Sequence, residues 1–223
     1  ITLQAVGDGF TQTWLLVFGL VTVCAGAFFI LVQNDLKRKL AYSSIEHVGV
    51  IATGLGAGGP LGVFAALFHT LNHSVTKSVL FCTAGNISVR YGTRDTTRIR
   101  GVLKAMPLTG TMFAAGVIAA AGSPPFGIFL SEFTTITAGL ASGQFWPMML
   151  LIAGLIIAFA ALVILVSETV FGPVPQDHPR GDLEWPMIVP LGVLVAFMAV
   201  LILLPGPLYQ LVDGAVHVVL QAR

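Results

Sequence analysis

The sequence predicts an all-α, polytopic integral membrane helix bundle with about six spans, one of which is a broken helix. Apolar residues make up 56% of the chain and charged residues 9%, whereas about a quarter of the residues of a soluble domain are charged. The apolar residues form runs of about 20 residues, which is the helix length that crosses a bilayer. With a mean hydropathy of +0.91, this composition excludes an ordinary soluble domain.

Six apolar segments carry this prediction. They are residues 13–32, 40–56, 60–87, 107–140, 145–170 and 186–204. The fourth segment is too long for one straight span. Because proline removes a helical hydrogen bond, Pro124 and Pro125 are expected to break this helix near residues 123–127.

The segments outside the spans are polar. The chain begins at Ile1 rather than Met, so we expect a fragment or a processed chain. Residues 1–12 form a polar N-terminal loop without the basic and short apolar stretches of a signal peptide. Residues 173–185 form a cytoplasmic loop, and residues 186–223 form the final span and a C-terminal tail.

The basic residues indicate how the segments cross the membrane. Nine of the eleven lysines and arginines lie in the loops of one side: Lys37, Arg38, Lys39, Arg90, Arg94, Arg98, Arg100, Lys104 and Arg180. The loops of the other side, residues 57–59 and 141–144, contain none. By the positive-inside rule, the basic side faces the cytoplasm, and we expect a bacterial or archaeal cytoplasmic membrane.

Three ionisable residues lie in the middle of the third segment. His69, His73 and Lys77 are spaced i, i+4 and i+8, so they share one face of a helix. An ionisable group at the bilayer centre costs about 2.5–3.5 kcal/mol, so such groups persist mainly along a water-filled path or in pairs. Because histidine exchanges protons near neutral pH, the pattern indicates a proton relay. Hydrogen bonding between helices is the alternative.

Three further residues are candidates. Glu132 follows the predicted break, where unpaired backbone groups create a wet pocket that an acid can reach. A capping or ion-pairing role is its alternative. Glu46 and His47 are included as possible site residues near the basic end of the second segment, where solvation at the interface explains them equally well.

No cofactor, metal or catalytic site is predicted. Cys24 and Cys82 lack metal-ligand spacing and are interpreted as small apolar residues. The glycine-rich residues 54–59 lack the following Lys-Ser/Thr of a phosphate loop. Redox chemistry would therefore belong to a partner.

Three segments resemble motifs of the antiporter-like, proton-translocating membrane subunits of respiratory complex I, Mrp antiporters and group 4 hydrogenases. The segments are residues 34–49, 68–81 and 122–133. Together with Ala-Gly-Asn-Ile at residues 84–87, they are most similar to the C-terminal portion of hydrogenase-4 component F.

The resemblance implies a fold and roles for the residues. The family consists of two inverted five-helix repeats, so residues 13–172 would be the second repeat and the first would be absent. His69, His73 and Lys77 would form the central hydrophilic axis. Glu132 would be the terminal proton-exchanging residue.

The implied function is translocation of protons, or conceivably sodium, coupled to electron transfer in a membrane-bound hydrogenase or NADH dehydrogenase-like complex. The expected partners are other membrane subunits, a nickel–iron hydrogenase-like or NADH dehydrogenase-like peripheral arm, and the lipid bilayer, but no nucleic acid. One alternative is an Mrp-type cation/proton antiporter component. Another is a passive membrane anchor, which would have no use for four titratable groups at membrane depth.

Overall fold

Helices form nearly all of the chain that the computed structural model describes, which is residues 8–174, 180–203 and 205–221. The helices are α1 (Asp8–Val32), α2 (Leu36–Ala57), α3 (Gly59–Tyr91), α4 (Val102–Ala105), α5 (Pro107–Ala120), α6 (Gly127–Ala141), α7 (Phe145–Thr169), α8 (Trp185–Leu203) and α9 (Pro205–Gln221). Within these residues the only β-type pairing is an isolated bridge between Asp35 and Asp95. The prediction of an all-α membrane bundle is confirmed.

Among the described residues, three helices are long and apolar enough to cross a membrane by length and composition. They are Gly9–Val32 within α1, together with α7 and α8, whereas α5 and α6 are shorter apolar helices. The break predicted in the fourth segment is present, because α5 ends at Ala120 and α6 begins at Gly127. Between them, Gly122 adopts a left-handed conformation with φ of +68°, which favours glycine because a side chain would be strained there.

The first helix begins at Asp8, earlier than the sequence predicted. Part of the predicted polar loop is therefore helical, and residues 1–7 lie outside the described residues. Phe10, Trp14 and Phe18 explain the longer helix, because side chains four residues apart meet on one helix face. Their ring centroids are 6.0 Å and 5.5 Å apart.

The predicted C-terminal tail is corrected, because its described residues form α9. This helix buries Val212 and Val216. The ring of Tyr209 lies 5.9 Å from that of Phe64 and 5.3 Å from that of Phe68. Packing against α3 therefore stabilises a helix that is less apolar than the preceding span.

Helices α8 and α9 together run antiparallel to α3. Near the end of α3, Asn86 Nδ2 donates to the carbonyl of Met187 at 3.2 Å. Val75 and Met198 share an apolar cluster in the middle, and Tyr209 reaches the beginning of α3. The third and the sixth spans of the predicted topology should run in opposite directions, and α3 and α8 do so.

The loops that alternate along the chain meet at one end of the bundle. The N–H of Leu36 donates to Arg94 O, and the N–H of Thr96 donates to Asn34 O, both at 2.8 Å. Arg90 Nη2 donates to the carbonyl of Arg180 at 2.8 Å. The three loops that carry the basic residues of one side are therefore at the same end of the bundle.

Asp182 strengthens this end of the bundle. Its carboxylate accepts hydrogen bonds from the N–H groups of Leu108 and Thr109, at 3.0 Å and 2.8 Å, in the first turn of α5. An acidic side chain at a helix N-terminus satisfies free N–H groups and interacts favourably with the helix dipole. At the opposite end, Ser142 Oγ donates to the carbonyl of Ala57 at 3.0 Å, which joins the two loops that lack basic residues.

Candidate functional site

Three helices place ionisable side chains in the interior of the bundle. Helix α2 contributes Glu46 and His47, α3 contributes His69, His73 and Lys77, and α6 contributes Glu132. The exposed fractions are 0% for His47 and His69, 2% for Glu46, 6% for Lys77 and 9% for Glu132. His73 is partly buried. The structure therefore places all six predicted site residues in or near one region.

A chain of hydrogen bonds links α6, α3 and α2. Ser131 Oγ lies 2.9 Å from His69 Nδ1, and His69 Nε2 lies 3.0 Å from His47 Nδ1. All three side chains are fully buried. Residues that are far apart in sequence thus form one continuous polar path across the bundle.

The hydroxyl of Ser131 fixes the direction of this path. Ser131 Oγ also donates to the carbonyl of Ile128 at 2.7 Å, so its one proton is used there. His69 Nδ1 must then carry the proton that Ser131 accepts, and His69 Nε2 must accept from Nδ1–H of His47. This assignment of tautomers follows from the donors and acceptors of the network.

His47 lies at the end of the path, next to the broken helix. Its ring is near the carbonyl of Ala120, the last residue of α5. Its Nε2 has no hydrogen-bond partner among the described residues. Carbonyl groups at the end of a helix carry a partial negative charge. Both halves of the broken helix therefore contact the histidine path, α5 near His47 and α6 through Ser131.

His73 extends the histidine group on α3. Its ring centroid is 5.0 Å from that of His47 and 6.3 Å from that of His69. Nδ1 of His73 has no hydrogen-bond partner among the residues that the structure describes. Three imidazole rings are thus in mutual contact, with a free nitrogen on His47 and on His73.

Lys77 contacts the neighbouring helix α2. Its Nζ donates to Ser43 Oγ, and Ser43 in turn donates to the carbonyl of Leu40 at 3.1 Å. Glu46 is the oppositely charged group within electrostatic range of Lys77. The hydroxyl of Ser43 therefore positions the lysine, with an acid of α2 in electrostatic range.

Glu46 and His47 are buried, so solvation at a membrane interface does not account for them. Oε2 of Glu46 lies 3.8 Å from His47 Nδ1, and Oε1 has no partner among the described residues. Helix α1 approaches closely here, because a Cβ on Gly26 would lie 2.8 Å from the backbone of Glu46. Only glycine permits this contact, which seals the site on the side of α1.

Glu132 lies apart from the histidine path. Its carboxylate is next to Gly122, where an added Cβ would clash with it. The acid borders a cavity of about 250 Å³ whose other side chains are apolar, among them Phe129, Phe133 and Leu155. No hydrogen bond joins Glu132 to the histidines within residues 8–174. The sequence predicted a wet pocket, whereas this cavity is largely apolar.

Sequence reasoning missed two hydroxyl groups of the site, those of Ser43 and Ser131. Ser43 is three and four residues before Glu46 and His47, so helical spacing places all three on one face. That spacing could have identified Ser43 as a site residue from the sequence. Nothing local distinguishes Ser131 from other serines, because its role depends on α6 packing against α3.

Comparisons with known proteins agree with this arrangement. Residues 1–158 match the family described as NADH:quinone oxidoreductase/Mrp antiporter, transmembrane. The hydrogenase-4 component F homolog of Methylacidiphilum infernorum is 38% identical over 168 residues, 75% of this chain and 34% of that protein. A Rhizobium meliloti protein named as a probable K⁺/H⁺ antiporter component is 35% identical over 207 residues, 88% of this chain and 21% of that protein.

A solved structure has the same fold. A chain of the Mrp complex from Dietzia sp. matches 96% of this chain with a TM-score of 0.88, at 22% sequence identity. The match covers 48% of that chain. The present chain thus spans from about a fifth to about half of the proteins that it matches.

Proposed function

Since the chain belongs to the NADH:quinone oxidoreductase/Mrp antiporter family, we propose that it carries protons across a membrane through its buried ionisable groups. It acts as an antiporter-like subunit of a membrane-bound hydrogenase or an NADH dehydrogenase-like complex. Electron transfer in partner subunits supplies the energy. The relative named hydrogenase-4 component F homolog supports this assignment.

The observation that carries the proposal is the buried path from Ser131 through His69 to His47. In the arrangement described above, the protons are on Ser131 Oγ, His69 Nδ1 and His47 Nδ1. If a proton arrives at His47 Nε2, the proton on His47 Nδ1 can pass to His69 Nε2. His47 is then neutral again and His69 carries a proton on each ring nitrogen, so one positive charge has moved from α2 to α3 without a large movement of any side chain. A packing role does not need reversible groups in series.

Lys77 and Glu46 control the path electrostatically. Both are buried beside the histidines, where charges interact more strongly than in water. A positive Lys77 opposes a second positive charge on His47, His69 or His73. When Lys77 gains or loses a proton, the proton affinity of the histidines therefore changes. This electrostatic effect couples the histidine path to charge changes elsewhere in the complex.

Glu132 exchanges protons at the broken helix. Its carboxylate borders the cavity beside Gly122 and is within electrostatic range of Glu46. Among the described residues, no histidine lines the cavity and no direct hydrogen bond joins this acid to the histidine path. Glu132 therefore acts as a separate proton-exchanging group at the end of the translocation route.

The proposal also implies an orientation in the membrane and a set of partners. The end of the bundle that carries the basic loops faces the cytoplasm of a bacterium or archaeon, by the positive-inside rule. The partners are other membrane subunits and a peripheral redox arm of the nickel–iron hydrogenase or NADH dehydrogenase type. The exposed apolar side chains of α1, α7 and α8 contact lipid or those subunits.

A second function has a specific observation in its favour. The Rhizobium meliloti relative is named as part of a probable K⁺/H⁺ antiporter. An Mrp-type antiporter component would use the same ionisable groups, but it would exchange protons for a metal cation and would need no electron donor. A passive anchor would gain nothing from ionisable groups in the interior of the bundle, which cost free energy.

Lys77→Ala in the purified native complex, reconstituted in liposomes, tests the proposal. A pH-sensitive dye reports proton movement, and dyes for Na⁺ and K⁺ report the alternative. We expect electron-donor-driven proton transport to be lost while assembly is kept. Lys104→Ala, at an exposed position of α4, is the matched control and should transport normally. Full proton transport by assembled Lys77→Ala complex would refute the relay. Donor-independent cation exchange would favour the antiporter.

A further inference from the structure

The three histidines have the composition and the spacing of a transition-metal site. His47, His69 and His73 each offer a ring nitrogen, and these nitrogens lie within 4.8 Å of one another. We propose that the three histidines bind a divalent transition-metal ion of the Zn²⁺ class, and that the bound ion blocks proton transfer between them. The sequence did not predict this site, because His47 comes from a different helix than His69 and His73.

The nitrogens need to move only a little, but the proton on His47 Nδ1 must shift to Nε2, beside the carbonyl of Ala120, before Nδ1 can bind an ion. Zn–N bonds of about 2.05 Å at tetrahedral angles place the ligand nitrogens about 3.4 Å apart. His47 Nδ1 and His69 Nε2, at 3.0 Å, are already close to this separation. The widest separation, 4.8 Å, must shorten by about 1.4 Å to reach 3.4 Å. His73 is partly buried and its Nδ1 has no hydrogen-bond partner among the described residues, so a rotation of its ring opposes no existing bond.

Ser131 holds His69 in the orientation of a metal ligand. A histidine that binds a metal usually donates its other ring N–H to a neighbouring oxygen, which fixes the tautomer. His69 does so through Nδ1–H to Ser131 Oγ at 2.9 Å. Its Nε2 lone pair then points at His47, where the ion would lie.

One charged group beside the histidines favours a bound cation and one opposes it. Oε2 of Glu46 lies 3.8 Å from His47 Nδ1 and can serve as a fourth ligand, while its Oε1 has no partner in the described part of the chain. Lys77 opposes the ion, so binding would be accompanied by loss of a proton from this region. Imidazole ligands select Zn²⁺ or Cu²⁺ over Mg²⁺ and Ca²⁺, which prefer oxygen.

The claim that the ion blocks proton transfer rests on the proposed function, whereas the claim that the histidines bind the ion does not. An ion on His47 Nδ1 and His69 Nε2 occupies the two atoms between which a proton would pass. Bound Zn²⁺ would therefore stop transport without displacing any helix.

Zinc binding to the native complex that contains the full chain tests the proposal. The complex is freed of metal with EDTA and titrated with Zn²⁺ in competition with a chromophoric zinc indicator. Wild type and His217→Gln should bind one more Zn²⁺ per chain than His73→Gln. His217 is a matched control because it is exposed on α9, 3.6 Å from Asp213. Ser131→Ala, which keeps every ligand, should keep the stoichiometry and bind about 10- to 100-fold more weakly.

Two measurements distinguish failure of the metal site from failure of the proposed function. If His73→Gln does not assemble, Cu²⁺ bound to the wild-type complex is examined by electron paramagnetic resonance, where coupling to three imidazole nitrogens is expected. Equal zinc binding by wild type and His73→Gln, or absence of coupling to three imidazole nitrogens, overturns the metal site and leaves the proposed function intact. Stoichiometric Zn²⁺ binding to these histidines with unchanged proton transport supports the metal site but overturns the histidine relay.

Discussion

Ser131→Ala removes a single hydroxyl group from the centre of the polar path. That hydroxyl accepts from His69 Nδ1–H at 2.9 Å and donates to the carbonyl of Ile128 at 2.7 Å. Ser131 is fully buried, so solvent does not replace the lost partner. The variant leaves the N–H of His69 without an acceptor and frees its ring to rotate.

The expected size of the effect follows from hydrogen-bond energetics. A buried donor left without a partner costs about 1–3 kcal/mol, which we expect as a loss in the free energy of unfolding. If the same free energy holds the His69 ring in the orientation that transfers protons, its loss slows transport by about 5- to 150-fold, since each 1.4 kcal/mol corresponds to a factor of ten.

The assay measures donor-driven acidification of liposomes, normalised to assembled complex, together with thermal unfolding. Thr83→Val is the matched control: Thr83 is fully buried, and its hydroxyl donates to the carbonyls of Val79 and Leu80 within its own helix α3. It should lose stability without losing transport. Normal transport by Ser131→Ala, or an equal fall of transport in both variants, would refute the role of Ser131 in orienting His69.

Two further predictions concern topology and the broken helix. In a background without Cys24 and Cys82, cysteines placed at Thr93 and at Ala141, which is exposed in one of the two loops that lack basic residues, should be labelled from opposite faces of the membrane. Labelling from the same face contradicts the six-span topology. Glu132→Gln should suppress proton transport although it preserves the size of the side chain, whereas Glu132→Asp should retain part of it. Near-normal pumping by the Gln variant would remove this acid from the ion path.

Much of the fold follows from local features of the sequence. Apolar segment length predicts the spans, and Pro124 and Pro125 predict the break, because both act within one segment. Helix α9 could not be predicted in this way. Its stability depends on contacts of Tyr209 with Phe64 and Phe68 of a distant helix.

For the candidate site, too, the residues grouped within one helix could be predicted from sequence, whereas contacts between helices could not. His69, His73 and Lys77 could be grouped from sequence, since their spacing is a property of one helix. The contacts of His69 with His47 and with Ser131 join residues of different helices that are 22 and 62 positions apart along the chain. Such pairs depend on which helices pack together, and a single sequence does not specify that.

The arrangement of Glu46 and Lys77 permits one more test, which separates function from stability. Removing one partner from a buried pair of opposite charges costs up to about 3–5 kcal/mol, whereas replacing both with apolar groups is often neutral or stabilising by about 1–4 kcal/mol. Glu46→Leu and Lys77→Met should each lower the melting temperature of the complex. The double variant should recover it, with a coupling of about 0.5–3 kcal/mol.

Recovered stability should not bring recovered transport. Leucine and methionine can pack beside Ser43 and His47, but neither side chain can change its charge, and the proposed path needs a group that does. Proton transport should therefore be absent in both single variants and in the double variant. If the double variant regains transport together with stability, Glu46 and Lys77 serve only to hold α2 against α3, and the histidines would have to work without a neighbouring charge.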